Sequence, residues 1–181
     1  MALNAPCCYH LFMLNIPRLA FMLALAASLL LSACSPKYDW RDYRSPDARF
    51  FTVFPGKPSI YAREIDLDGL KVRMTMTATR INGTMFAVGS AQVADAAKAQ
   101  AAIKSMKMAL LKNIKGTLKY EQATSVSIDI ETTGVQNGTP MLLVGRFIAQ
   151  EQRIYQVIVL GKESAMARDN IEMFMSSFKL D

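Results

Sequence analysis

The side chains able to act as nucleophiles, acid–base catalysts or soft metal ligands lie at one end of this 181-residue chain. The cysteines are Cys7, Cys8 and Cys34, and the single histidine is His10. Beyond Cys34 the sequence therefore excludes catalytic triads, thiolate nucleophiles, histidine acid–base catalysis and zinc sites with nitrogen or sulfur ligands. We predict that this part of the chain is not an enzyme and holds no metal or other cofactor.

Carboxylates are the remaining side chains that could act in catalysis or bind a metal ion. Glu64, Asp66 and Asp68 alternate along one segment, as do Asp129 and Glu131, so each set is expected on one face of a strand. Sets of this kind can hold a hard cation or form a glycosidase-like pair. Neither set is surrounded by the Asn, Gly or aromatic residues that such sites usually contain. We therefore interpret both sets as the solvent-exposed faces of amphipathic strands.

The position of Cys34 has a different explanation. Residues 19–31 carry no charge and lead into the small residues of the sequence Leu31-Ser32-Ala33-Cys34. A spanning helix needs about 20 apolar residues, so this shorter run is typical of a cleaved export signal. The four-residue sequence resembles the lipobox of bacterial lipoproteins, in which the cysteine is diacylated, the chain is cut before it and the new amino group is usually acylated.

The lipobox resemblance implies a cleaved signal over residues 1–33 and a diacylglycerol plus a fatty acyl chain, such as palmitate, on Cys34. Two or three acyl chains hold a protein on a bilayer without a transmembrane helix, at about 0.8 kcal/mol per buried CH₂. Since Ser35 rather than Asp follows, the enteric sorting rule implies the outer membrane, with the domain facing the periplasm. A start at Met13 gives a more usual signal than one at Met1, and both starts stay open.

The mature chain is predicted to be a short tether followed by one domain. Residues 34–46 carry the lipidated cysteine and a tether with two prolines and no apolar periodicity, and residues 47–181 form a single α+β domain. The rings of the tether alternate with Lys and Arg. Two interpretations stay open: the rings lie among lipid headgroups, or Trp40 packs on the domain edge.

Beyond the tether, alternating apolar residues predict β-strands. The predicted strands are 50–54, 59–67, 70–79, 84–90, one near Lys119, 126–132, 141–149 and 153–160. Asp68-Gly69, Asn82-Gly83 and Asn137-Gly138 predict tight turns, which make consecutive strands antiparallel neighbours in a meander. The run 157–160 is apolar on both faces, which predicts a central strand covered on both sides.

Two helices complete the predicted elements. The first begins at Asp95 and ends near Lys115, before Gly116, with a buried stripe of Ala99, Ile103, Met106, Leu110 and Ile114. The second begins at Ser164, with its stripe formed by Ala167, Ile171, Phe174 and Phe178. This order predicts an α+β fold, an antiparallel sheet with helices packed against it.

Three segments carry a family resemblance. They are Phe51-Thr-Val-Phe-Pro-Gly-Lys-Pro58, Arg153-Ile-Tyr-Gln-Val157 and Phe174-Met-Ser-Ser-Phe-Lys-Leu180. Together they resemble the PsbP-like fold, a family that includes the extrinsic P subunit of photosystem II and many bacterial lipoproteins of unknown role. The resemblance implies an αβα sandwich that acts as a docking or assembly module.

A positive stripe is expected on the first helix. Lys104, Lys107, Lys112 and Lys115 lie away from its apolar stripe, as does Lys98, and their only counter-charge on the helix is Asp95. The stripe is either a solvated face or a contact for anionic headgroups. Nucleic acid is not expected as a partner, because the domain is exported and its aromatic residues are not interleaved with the stripe.

The leading hypothesis is a non-enzymatic, lipid-anchored domain that binds an envelope protein or scaffolds an assembly. Its predicted partner contacts are Trp40, Arg146, Arg153 and Tyr155. The alternative is a small-molecule or lipid carrier, because nine of the 12 methionines lie beyond residue 33 and methionine suits an adaptable pocket. An enclosed apolar cavity would favour the carrier. The sequence leaves the partner, the ligand and the oligomeric state open.

Overall fold

Strands dominate residues 37–181, the part of the chain that the computed structural model describes. The predicted signal, the lipobox and Cys34 lie outside the described residues. The strands are β1 (Arg41–Arg44), β2 (Phe50–Phe54), β3 (Ser59–Leu67), β4 (Leu70–Ile81), β5 (Thr84–Gln92), β6 (Thr117–Ala123), β7 (Ser127–Gln136), β8 (Thr139–Gln150), β9 (Arg153–Lys162) and β10 (Lys179–Leu180). The helices are α1 (Ala96–Asn113) and α2 (Arg168–Ser177).

Seven strands form one antiparallel sheet in the order β3-β4-β5-β9-β8-β7-β6, which confirms the α+β class. The predicted turns at Asp68-Gly69, Asn82-Gly83 and Asn137-Gly138 have positive φ at both residues, as two-residue hairpins with right-handed strand twist require. Each joins neighbouring strands in the sheet. The meander is interrupted once, since β9 rather than β6 pairs with β5.

Helix α1 carries the chain from the end of β5 across the sheet to β6. The Asp95 carboxylate accepts a hydrogen bond of 2.7 Å from the backbone N–H of Lys98, so the predicted cap is confirmed. The helix ends slightly before the predicted residue, and Lys115 rather than glycine takes the left-handed conformation. Gly116 instead allows a close approach to β7, because a Cβ atom at this position would lie 2.7 Å from Thr132 Oγ1.

The central strand β9 is buried on both faces, as the run 157–160 predicts. Ile154 and Ile158 pack with α1 in one core, whereas Val157 and Val159 pack with α2 in a second core. Since successive side chains of a strand point to opposite faces, the two helices lie on opposite sides of the sheet. The predicted stripes of both helices supply these cores, except that Leu110 is half-buried and Ala167 is exposed.

The meander prediction is wrong for β2. This strand pairs with β1 and β10 in a separate three-stranded sheet. Phe50 and Phe54 on β2 are buried in the second core, so the small sheet acts as a cover for the main sheet beside α2. The described part of the predicted tether is corrected as well: Arg41–Arg44 form β1, because β2 offers them a strand to pair with.

The second helix begins later than predicted. A 3₁₀ turn occupies Glu163–Ala165, and α2 starts only at Arg168. Met166 and Ala167 between them are extended, with ψ of 105° and 131°. Met166 packs against the second core, so the chain uses this extended stretch to return from the end of β9 onto the face of the sheet.

Replacing Phe174 tests how much the second core contributes to stability. Its ring is fully buried and lies 5.4 and 5.5 Å from the rings of Phe54 and Phe86. We expect Phe174→Ala to lower the free energy of unfolding by about 3–5 kcal/mol through lost burial and a cavity. Met173→Ala on the same helix removes a side chain that is 50% exposed and is the matched control. Equal effects of both changes in urea unfolding would contradict the assignment.

Candidate functional site

The two ends of the seven-stranded sheet differ in the residues they carry. We call the end with the turns at Asn82-Gly83 and Asn137-Gly138 the tether end. There the chain enters the fold, since the N–H of Asp39 donates to the carbonyl of Pro55 at 3.2 Å. We call the opposite end, with the turns at Asp68-Gly69 and Glu151-Gln152, the far end.

An open groove of about 150 Å³ lies toward the far end, between residues 43–48 and the outer face of β4 and β5. Arg73 and Arg153 line it, and Thr77 and Ser90 are buried beside them. Neither guanidinium has an ion-pair or hydrogen-bond partner among the described residues. We call this the arginine groove. It brings Arg153, a predicted partner contact, together with Arg73, which the sequence analysis did not select.

The strand registers explain why these side chains meet. Arg73 and Thr77 share one face of β4, and Gln92 at the end of β5 lies opposite Arg153 on β9. An adjoining groove of about 340 Å³ shares Gln92 and Arg153 and adds Arg49. The sequence does not single out Arg73, because in the alternating segment 70–79 it has the pattern of an ordinary solvent-exposed strand residue. Nothing in the sequence shows that residues 43–48 cover that face.

Tyr155 lies beneath the arginine groove and not on the surface, so its prediction as a partner contact is wrong. Only 1% of the residue is exposed, and its hydroxyl donates to the carbonyl of Ala48 at 2.8 Å. Burial raises the pKa of the phenol, against the opposing charges of Arg153 and Arg49, so it stays protonated as a donor. Tyr155 thus holds one wall of the groove against the sheet.

A third open groove, of about 340 Å³, lies between α2 and the outer face of β7 and β8. Arg146 lies here rather than beside Arg153, and its Nε donates to Asp129 at 2.7 Å. Arg168 makes two hydrogen bonds of 2.6 Å to Glu131. Both carboxylates of the set Asp129 and Glu131, which the sequence offered for a cation or a glycosidase pair, are therefore engaged by guanidinium groups.

The other carboxylate set also serves local structure. Asp66 accepts a hydrogen bond of 2.6 Å from the N–H of Gly69, and Asp68 is itself a turn residue with φ of 58°. Glu64 remains on the strand, opposite Arg73. Within residues 37–181 no three His, Cys, Asp or Glu side chains are grouped so as to hold a metal ion.

The positive stripe on α1 is shorter than predicted. Lys107 donates to Glu121 of β6 at 2.7 Å, and its side chain is only 15% exposed. Lys107 is therefore corrected from a surface contact to a structural ion pair, because β6 lies beside that part of the helix. Lys104, Lys112 and Lys115 remain exposed.

The rings at the start of the described chain pack on the domain. Trp40 stacks on Tyr38 with centroids 5.8 Å apart, and both rings meet the edge of Phe86. Trp40 is half-buried. This supports packing on the domain edge over insertion among headgroups, and it leaves only part of the indole available to a partner.

Many of the apolar residues behind the carrier alternative are used in packing. Met74, Met76 and Met106 are buried in the first core, and Phe50, Phe54 and the other phenylalanines near α2 form the second. The grooves described above are open rather than enclosed. The two toward the far end are lined largely by polar side chains, whereas the groove beside α2 also has apolar residues such as Ile171 and Met175. No helix within residues 37–181 is long and apolar enough to cross a membrane.

Comparisons with protein-family models and with curated proteins found no match to this chain.

The ion pair of Glu131 predicts a pH dependence of stability. The hydrogen bond from Arg168, helped by its charge and opposed by burial, holds the pKa of Glu131 below its ordinary value of 4.5. A carboxyl with a depressed folded pKa stabilises the fold above its unfolded pKa, and this contribution is lost as the pH falls through the folded pKa. Arg168 is 58% exposed, so we expect about 1 kcal/mol or less.

We therefore expect wild type to be slightly more stable than Glu131→Gln at neutral pH, with the difference shrinking as the pH falls below about 4.5. Urea unfolding at a series of pH values measures this difference. Glu64→Gln is the control, because Glu64 is exposed and has no ion pair within residues 37–181. A constant difference across this pH range would show that Glu131 acts by packing alone.

Proposed function

We propose that the protein is a lipid-anchored lipoprotein of the bacterial cell envelope whose domain is a non-enzymatic protein-binding module. The signal and lipobox predicted around Cys34 support the anchor and an outer-membrane location. Helices α1 and α2 on opposite faces of an antiparallel sheet support an αβα sandwich and, with the three sequence segments, the PsbP-like resemblance.

The arginine groove carries the proposal. Arg73 and Arg153 line one depression together with a single carboxylate, Asp47, and neither guanidinium is paired with a carboxylate among the described residues. The planar guanidinium binds carboxylates through two parallel hydrogen bonds, so the groove suits an acidic segment of a partner protein. In contrast, Arg146 and Arg168 would have to leave Asp129 and Glu131 before binding anything else.

Apolar side chains beside the arginines favour a protein as the partner. Ile60 lines the same groove and is 57% exposed, and the half-buried Tyr43 lies across from it. Arginine and tyrosine next to an apolar anchor are the composition typical of interface hot spots. With neither His nor Cys in the domain, the groove offers binding and orientation rather than nucleophilic or imidazole chemistry.

The groove is placed where a partner can approach. Most of its lining residues lie toward the far end, whereas the chain enters at the tether end. Strand β8 runs between the two ends with 12 residues, which corresponds to about 40 Å. A protein in the periplasm can therefore reach the groove without contacting the membrane that holds the acyl chains.

Site-specific photo-crosslinking in native membranes tests this proposal. A photoreactive residue in place of Ile60 is expected to form one adduct of defined mass with an envelope protein. The same residue in place of Val135, which is 49% exposed at the tether end, is the control for position. Mass spectrometry of the adduct identifies the partner and the peptide that contacts the groove.

The double variant Arg73→Ala/Arg153→Ala is expected to reduce the Ile60 adduct at least about tenfold, since hot-spot arginines contribute more than 1 kcal/mol each. Arg63→Ala is the matched control. Arg63 is exposed and has no partner in the part of the chain that the structure describes, but it lies on the opposite face of β3 from Ile60. Equal adducts from all variants would remove the groove from the proposal. Lipid that co-purifies with the domain, with no specific adduct, would favour the carrier instead.

A further inference from the structure

The tether end of the sheet must lie close to whatever surface holds Cys34. Tyr38 and Asp39 are already attached to the domain through Phe86 and Pro55. Only residues 35–37 separate Cys34 from Tyr38. Four residue steps span at most about 14 Å, so acyl chains on Cys34 bring this end of the sheet to the headgroups of the bilayer.

Five basic residues are collected at this end by elements far apart in the sequence. They are Lys57, Arg80, Lys112, Lys115 and Lys162. All five are exposed, and none has a carboxylate partner among the described residues. We call them the basic end.

The topology explains how they meet. Gly56 before Lys57 lies against Ile81, next to the turn that follows Arg80. Lys162 ends β9, where Gly161 contacts Thr84 just after the same turn. The carbonyl of Ile114, between Lys112 and Lys115, accepts a hydrogen bond from Val135 near the other turn.

Negative charge is sparse at this end and abundant at the other. At the tether end, Glu163 and Asp169 lie near the start of α2, and Asp39 is paired with Arg41. The far end carries Glu64, Asp66, Asp68, Asp95 and Glu151 in or beside its turns. The tether end therefore carries an excess of positive charge, whereas the carboxylates of the far end lie among cations such as Lys71, Arg73 and Arg153.

We propose that the basic end is a docking surface for the anionic phospholipid headgroups of the membrane in which the protein is anchored. This inference rests on the proposed lipid anchor. Lysine and arginine near an anionic surface each strengthen binding by about fivefold, so five together fix the orientation of a domain that its acyl chains only tether. The arginine groove is then directed away from the bilayer.

The surface differs from the lysine stripe expected from the sequence. Lys112 and Lys115 belong to it because α1 ends at the tether end. Lys104 lies midway along the helix, and Lys107 is paired with Glu121. Contact with lipid is therefore expected at the end of α1, not along its side.

Energy transfer to acceptor-labelled lipid tests the orientation. The mature acylated protein carries a dye at Gln136→Cys, beside a turn of the tether end, or at Gln152→Cys, in a turn of the far end; both residues are exposed. Vesicles contain phosphatidylcholine with or without phosphatidylglycerol. In anionic vesicles at low salt we expect several-fold stronger transfer from position 136 than from 152, and a smaller contrast at high salt, which screens the charges.

A charge-reversed variant tests the residues themselves. Lys57→Glu/Arg80→Glu/Lys162→Glu should reduce the preference for the docked orientation by at least roughly a hundredfold, because three attractions of about fivefold each are lost and repulsion is added. The contrast in anionic vesicles then falls to that in neutral ones. Arg63→Glu/Lys71→Glu/Lys98→Glu changes net charge equally with residues outside the tether end and should keep the contrast. Circular dichroism verifies folding, and the glutamine versions of both triples repeat the test without added negative charge.

The outcomes separate the inference from the proposed function. Equal transfer from both positions, the same contrast in neutral and anionic vesicles, or identical behaviour of the two triple variants would overturn the basic end as a docking surface. Failure to sediment with neutral vesicles would instead overturn the lipid anchor. In that case the contrast between positions 136 and 152 in anionic vesicles still decides whether the basic end binds lipid.

Discussion

Burial of β9 on both faces is the constraint on which the rest of this domain depends. A central strand with apolar side chains on both sides is buried from solvent only if each face of the sheet is covered. Helix α1 covers one face and holds Met106 and Ile103 against Ile158. The other face requires a second cover, and the chain builds it from segments near both of its described ends.

That second cover ties remote parts of the sequence together. Helix α2 and the small sheet β1-β2-β10 share it, and their aromatic rings interlock, with Phe54 and Phe86 both within 5.5 Å of Phe174. The hydrogen bond from Tyr155 to Ala48 attaches the same cover to β9. One consequence is the arginine groove, which exists only because residues 43–48 are held over the outer face of β4 and β5.

The arginines that line the arginine groove and the groove beside α2 divide into two groups by their partners. Arg146 and Arg168 neutralise Asp129 and Glu131, so they stabilise the outer face beside α2 and need no ligand. Arg73 and Arg153 have no such partner among the described residues, and they lie together in a groove. The lysines divide in the same way, since Lys107 is paired while Lys57 and Lys162 remain exposed at the tether end.

The sequence by itself determined the local elements and the residue types that are available for chemistry. Alternation and the Asn-Gly and Asp-Gly turns located the strands of the main sheet closely, because both signals act between near neighbours. Only the tertiary structure decided which strands pair across long sequence separations. Strand β2 lies in a separate small sheet that covers β9, and β9 pairs with β5. The tertiary structure also decided which charged side chains form ion pairs. Lys107 and Glu121, or Arg168 and Glu131, are brought together by packing of distant elements, and no spacing along the chain encodes that contact.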